Sequence, residues 1–490
     1  MKKIKIILMV FATLFVVNGC EEEDFELTNP SGLSPETYFR TEAQVQSAVN
    51  AVYANTQTIG LYTRTLFFAM DIMSREALGN PQLEADKRVY QEWSFDASHP
   101  PIAWYWDACF RGINKANFVI DNADRINEIP SSLLSDEKKA RFIGEAKYMR
   151  AFYYFLLVTR FGDVPLITTV PEDGSGFPRT PADQVYDQII VDLNDASQTL
   201  WNKDRTENGR ATQGAAFALL GKTHLYLEEY DEALAAFENI YGQYSLEEDY
   251  FANFREEEEF GPESIFEIQY DDDMGNSAVW DSNAAGEDAN EVTFRGQEYG
   301  FNDWFNVYPN PVLVDEYEDG DIRRDETFYF PGDTFAGGVI EELPLERDAA
   351  WRKYQNYYKD VNEDQASGIN MKVIRYADVL LMMAEAENAM VSGDKSLAID
   401  YINEVRERAG LSPLSDGLSQ NEVFDAIVHE RMVELAGEQV RFPDLVRWGL
   451  AADYLSEFGF QAGKHEIWPI PNDEISANDG ISAEDQNPGY

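Results

Sequence analysis

The sequence predicts a mainly α-helical fold, a repeating helical scaffold that carries long irregular loops and a few short strands. Three observations predict it. Apolar residues recur at helical spacing before about residue 243 and again after about residue 371. Helix start and stop signals bracket those stripes. Two segments share one spacing of small and large residues, which marks a repeated helix pair.

At the N-terminus, Lys2, Lys3 and Lys5 precede an apolar run from Ile6 to Val17 that ends in Val17-Asn18-Gly19-Cys20. A membrane-spanning helix needs about 20 apolar residues, and this run is shorter. A basic start, an apolar middle and small residues before a cut describe a signal peptide over residues 1–19. A Cys directly after a small residue at the cut is what a lipoprotein signal peptidase requires, so Cys20 is read as the lipidation site. Dual acylation would hold the chain stably to a membrane. Residues 20–33 open with Glu21, Glu22, Glu23 and Asp24 and continue through a Pro/Gly/Ser stretch, the composition of a tether. Residues 34–490 then form a single body.

Within the body, Thr41 and Gln44 make a capping box before Val45, Ala48, Val49, Val52 and Tyr53 on one helical face. A second helix is expected from about Trp104 to Asn127. Phe142, Ala146, Met149, Tyr153 and Leu156 form a stripe that stops at Phe161-Gly162-Asp163-Val164-Pro165, with Gly at the cap and Pro beyond it. Thr180-Pro181 opens another helix, with Val185, Ile189, Leu193 and Leu200 near one face. The shared spacing follows. Gly221, Ala233 and Phe237 stand at the same offsets as Ala386, Ala398 and Ile402. That is the small, small, large pattern of a tetratricopeptide helix pair, in which small residues let antiparallel helices approach closely. From about 244 to 370 the sequence turns aromatic, acidic and Gly-rich, with one short strand expected within Ser264–Tyr270. So long a stretch without regular structure is usually functional. It is expected to pack as an irregular, ligand-facing subdomain between an N-terminal helical part (34–243) and a C-terminal one (371–490).

The formal charge is −50, with 89 acidic residues against 39 Lys and Arg. Nucleic acid is bound largely through Lys and Arg on phosphates, so this balance argues against it and, less strongly, against highly sulfated polyanions. A neutral ligand is favoured. Once Cys20 is lipidated, Cys109 is the only cysteine left, so no internal disulfide can form. Its neighbours Trp106, Phe110 and Ile113 make it a buried small hydrophobe. His99, His224, His429 and His465 lack metal-ligand spacing, and neither a nucleophile elbow nor a Walker loop is present. With acids so abundant, a carboxylate pair at glycosidase separation would arise by chance. No catalytic residue and no cofactor are expected. Calcium is the one weak option: Asp315, Asp319, Gly320 and Glu326 fall at EF-hand positions, but Tyr317 stands where an oxygen donor belongs. Asp360, Asn362 and Asp364 alternate without the glycine such a loop turns on, so both segments are read as solvated acidic loops.

Several blocks together resemble a known family. They are Trp106 to Asn117 (WDACFRGINKAN), Glu145 to Pro165 (EAKYMRAFYYFLLVTRFGDVP), Arg375 to Glu385 (RYADVLLMMAE) and Ile402 to Gly410 (INEVRERAG). Glu430-Arg431, Glu434-Leu435, Arg441 to Gly449 (RFPDLVRWG), Trp468 to Pro471 (WPIP) and the final Gln486 to Tyr490 follow in order. Over nearly its whole length the chain resembles the SusD/RagB-type nutrient-binding lipoproteins of Bacteroides-like bacteria. The resemblance implies a SusD-like fold, attachment to the outer membrane with surface exposure, and a role as lid on a SusC-like TonB-dependent transporter that receives oligosaccharide. RagB-type members leave peptide capture open as an alternative, and a surface glycosidase is the remaining one. Arg150, Arg375, Glu430, Arg431, Asp444 and Arg447 in these blocks are read as ion pairs between helices.

Sugar rings pack their C–H faces on aromatic side chains while their hydroxyls seek planar polar groups. Candidate ligand residues are therefore the aromatics outside the helical stripes, with their polar neighbours. Trp93, Trp104 and Tyr105 are placed in the loop before the second helix, and Trp280, Phe294, Arg295, Tyr299, Asn302, Asp303 and Trp304 in the irregular region. Family resemblance implies a ligand site built from these two parts of the chain. Trp304 leads the set, because Asn302 and Asp303 adjoin it and a packed segment from Leu313 to Arg324 follows.

Overall fold

The computed structural model describes residues 38–172, 174–274, 290–362 and 366–490. The leader, Cys20, the tether and Trp280 lie outside the described residues. Its first helix, α1 (Glu42–Ala54), starts as the sequence dictates. Thr41 Oγ1 accepts the Gln44 N–H at 3.3 Å, and Gln44 Oε1 accepts the Thr41 N–H at 3.2 Å. Two N–H groups that a helix start would leave orphaned are thereby satisfied. The long helix α2 (Pro100–Asp121) begins earlier than the expected Trp104, because a proline in the first turn has its φ preset and no N–H to lose. Trp104 and Tyr105 therefore sit inside a helix and not in a loop. Helix α3 (Asp136–Phe161) ends where expected, at Gly162, whose φ of 70° is one that a side chain would resist. Tyr153 on α3 donates its hydroxyl to the Val52 carbonyl at 2.6 Å, tying α3 to α1. Helix α4 (Ala182–Thr199) packs along α3, and Arg150 joins them through paired 2.7 Å bonds to Asp192.

The two segments of shared spacing are both helical hairpins. In the first, α5 (Gln213–Tyr226) and α6 (Tyr230–Phe237) cross so closely that a Cβ on Gly221 would run into the Phe237 ring. In the second, α7 (Tyr376–Ala389) and α8 (Lys395–Arg408) bury Ala386, Ala398 and Ile402 completely. α6 lies against α7, so the hairpins stack, and α9 (Gln420–Glu434) continues the array. One continuous apolar core reaches from Phe39 to Ile470, with Cys109 inside it; burial pushes that thiol well above its usual range. The protein is mostly helical with a few short strands, and among the described residues no helix is long and apolar enough to cross a membrane.

Among the described residues the strands pair as two-stranded antiparallel ribbons: β1 (Ala77–Gly79) with β3 (Val307–Pro309), β2 (Ser264–Ile268) with β8 (Met371–Arg375), β4 (Phe328–Tyr329) with β7 (Ala350–Trp351), and β5 (Thr334–Phe335) with β6 (Gly338–Val339). The expected strand after Ser264 is β2. Every residue of β2 is buried, which brings Glu267 inside, where Lys372 on β8 neutralises it. Charges of the family blocks behave likewise. Arg375 pairs with Glu263, Glu434 and Glu438; Arg323 with Asp321, Glu430 and Glu434; Arg431 with Asp378 and Asp444. This network fastens the segment 317–354 to α9. In the EF-hand-like stretch, Asp315 and Asp319 are exposed, while Tyr317 is buried and donates its hydroxyl to the Val433 carbonyl at 2.8 Å.

Candidate functional site

Inside the irregular region a smaller apolar cluster forms, made by Phe301, Phe305, Tyr329, Ile340, Leu343, Ala350 and Tyr357, with Tyr308 and Phe335 half-buried beside it. Phe301 is its centre, with ring centroids of Tyr357 at 4.7 Å, Phe335 at 5.2 Å and Tyr329 at 5.6 Å. Residues 301–305 are aromatic at three of five positions; two rings turn into this cluster and the third, Trp304, is left outside. At 37% exposure Trp304 is the most exposed tryptophan among the described residues.

The loop that carries Trp304 is held from several sides. The Trp304 N–H donates to the Gln297 carbonyl at 3.2 Å and the Asn306 N–H to the Glu298 carbonyl at 2.8 Å. From the β1 side, Asn80 Nδ2 and Gln82 Nε2 both donate to the Phe305 carbonyl, at 2.6 and 2.9 Å. Beneath, the fully buried Glu298 carboxylate accepts Asn306 Nδ2 at 2.6 Å and Arg64 Nε at 2.9 Å. Phe305 has a φ of 46°, and Leu345 and Glu346 in the adjoining loop have 58° and 54°. Non-glycine residues held in that region store strain, which concentrates at functional sites. Asn302 is exposed and donates to the Val361 carbonyl and to Asn362 Oδ1; Asp303 Oδ2 accepts the Tyr357 hydroxyl at 2.6 Å. A flat indole on a fixed base, with an amide and a carboxylate beside it, can stack on a sugar ring and bond its hydroxyls.

Other expected ligand residues do not join this surface. Trp93 is 4% exposed, stacked on His465 with centroids 5.1 Å apart and packed edge-on to Phe460; the C-terminal segment covers it. Tyr105 is fully buried, its hydroxyl on the Leu156 carbonyl at 3.0 Å. Trp104 is half-buried within α2, its backbone pressed against Gly60. Arg295 and Tyr299 belong to the buried brace under the loop: Arg295 pairs with Asp71 at 3.1 Å and donates to the Gly437 carbonyl at 2.8 Å, and the Tyr299 hydroxyl donates to Asp71 at 3.0 Å. Phe294 is buried as well. Burial removes the faces these residues would need for stacking, so Trp304, Asn302 and Asp303 are the expected residues that the structure gathers at one surface.

Sequence reading missed residues that lie beside that surface. Arg347 lies with its guanidinium carbon 3.8 Å over the Tyr308 ring and its Nε on Asn80 Oδ1 at 2.9 Å. A contact spanning 267 positions has no local signal in the sequence. A separate cleft of about 650 Å³ lies between α1 and the end of β2, lined by Tyr53, Gln57, Arg210, Glu259, Gln269 and Tyr270 among others. It is polar and acidic. Burial pushes the Glu259 carboxyl up to about 8, although the Asn370 N–H pulls it down, and Tyr270 offers no open face because its ring is buried.

The comparisons with known proteins agree with this architecture. Residues 262–490 match the model of the SusD family, and residues 25–227 match a family described as starch-binding, associating with the outer membrane. SusD-like protein P2 of Formosa agariphila is 30% identical over the whole of both chains. Of solved structures, a laminarin binding SusD-like protein superposes with a TM-score of 0.78 at 29% identity, covering 92% of this chain and all of that one. A SusD superfamily protein from Bacteroides vulgatus also gives 0.78, at 25% identity over 93% of this chain and all of the other. Fold, stacked hairpins, terminal blocks and full-length relatives converge, and the chain belongs to the SusD family.

Proposed function

We propose that this protein captures oligosaccharide on the Trp304 surface and delivers it to a TonB-dependent outer-membrane transporter, held at the cell surface by lipid on Cys20. The observation that carries the reading is Trp304 itself, an exposed indole on a base locked by Asn80, Gln82 and Glu298. Its rigidity matters, because a face fixed in advance loses little entropy when a sugar stacks on it. A laminarin binding protein of the same fold supports the carbohydrate class. Binding without chemistry fits a surface that offers stacking and hydrogen bonds and a sequence with no catalytic motif. The overall charge of −50 favours a ligand that is neutral along most of its length.

Trp304→Ala tests the reading. Losing one stacking face is expected to weaken binding by about 1.5–3 kcal/mol, roughly 10- to 150-fold. Calorimetry against a panel of oligosaccharides reads the loss, and the melting temperature should stay within a few degrees because the ring is exposed. Normal binding by the variant would move the site elsewhere, with the cleft at Tyr53 and Gln269 the next place to look.

A further inference from the structure

In so acidic a chain most arginines sit against carboxylates, as Arg150, Arg323, Arg375 and Arg431 do. Arg347 does not. Among the described residues no carboxylate oxygen lies within 4.0 Å of its nitrogens, and its only side-chain hydrogen bond is the one from Nε to Asn80. It is held instead by a ring, 3.8 Å above Tyr308. A second arginine of the same kind lies near Tyr308. The Arg75 guanidinium lies 4.1 Å over the Phe458 ring, has no carboxylate within ion-pairing distance among the described residues, and keeps a buried Nε without a hydrogen-bond partner. Its backbone is in the left-handed region, φ 65°. Burial lowers its pKa, and the nearby Tyr308 hydroxyl and Glu457 pull the other way.

A guanidinium fixed by an aromatic face, with donors left over as at Arg347, suits a planar or tetrahedral oxyanion. Stacking orients the fork in advance, and an Arg–carboxylate or Arg–sulfate contact is charge-assisted. Asn80 links Arg347 to the Trp304 loop, since its Oδ1 holds Arg347 and its Nδ2 holds the Phe305 carbonyl. We propose that the Trp304 surface selects oligosaccharides bearing an acidic substituent, a carboxylate or a sulfate ester, which Arg347 receives with Arg75 adding to the local positive potential. This rests on the Trp304 surface being the glycan site. The strong negative charge elsewhere then acts as a filter: it repels densely charged polyanions, while a sparsely charged glycan with one acid in register is admitted.

Calorimetry with neutral laminarin oligosaccharides, oligogalacturonates and sulfated galactan oligosaccharides tests it on the wild type, Arg347→Met and Trp304→Ala. An acidic probe should bind at least roughly tenfold tighter than the neutral one, and Arg347→Met should erase that margin while leaving neutral binding in place. A response to galacturonates alone assigns a carboxylate; a response to the sulfated probe alone assigns a sulfate. Equal binding of neutral and acidic probes, or an acidic preference that survives in Arg347→Met, overturns the proposal and leaves the glycan reading standing. If Trp304→Ala binds both classes as the wild type does, the glycan site lies elsewhere and the acidic-group proposal falls with the Trp304 surface.

Discussion

Glu76 is fully buried, with one carboxylate oxygen near the Gly437 N–H and Ser74 and the other without a hydrogen-bond partner. Burial first, and then the charge of Asp71, push its carboxyl up to about 8. A carboxyl raised in this way keeps its proton in the fold while the unfolded chain has released it, so stability falls as the pH climbs from about 4.3 toward 8. Glu76→Gln is therefore expected to match the wild type in melting temperature near pH 5 and to exceed it near pH 8.5; parallel pH profiles would refute this. Asp378 shows the opposite outcome of equal burial, for Lys222 and Arg431 overcome desolvation and bring its carboxyl down to about 2. At this scale the sequence was least informative. Arg295, Tyr299 and Trp304 lie within ten positions of one another, yet the first two are core because Asp71, more than 220 positions away, receives them. Composition cannot reveal which of three neighbouring candidates finds a distant partner.

Helices and hairpins were legible because their signals are local. A capping box needs residues three apart, a helix stop needs one Gly, and a close crossing needs small residues at fixed offsets. The α5/α6 crossing is the strictest of these, since any side chain at Gly221 meets the Phe237 ring. Gly221→Ala should gain helix propensity yet lose about 1–3 kcal/mol net through overpacking, read as a lower urea midpoint with unchanged slope. A midpoint equal to or above the wild type would mean that the ring moves aside freely. Short ribbons such as β4–β7 were not legible, because two-residue strands carry no periodicity; they form where the aromatic cluster under Trp304 brings their chains together.

As a whole, the molecule is a stack of helical hairpins on which an irregular segment is fastened by buried ion pairs and topped by a small aromatic cluster that carries the exposed indole. The segment 317–354 is tied to α9 by Arg323 and Lys353, whose partners Glu430, Glu434 and Glu438 lie on α9 or just beyond it, and Arg375 at the end of β8 pairs with Glu434 and Glu438 as well. Such a brace holds in place the segment on which the aromatic cluster beneath Trp304 rests. Purification from native membranes in mild detergent is expected to recover a TonB-dependent barrel with the wild type, and Cys20→Ala should accumulate as a full-length precursor that takes up no labelled fatty acid. No barrel, or a variant that still takes up the fatty acid and is processed as the wild type is, would contradict the surface-lipoprotein reading. Most direct is a crystal structure with bound oligosaccharide: a sugar ring stacked on the Trp304 indole, with Arg347 within reach of its substituent, is the predicted result. A sugar seated in the cleft of Tyr53 and Gln269, with Trp304 bare, would contradict it.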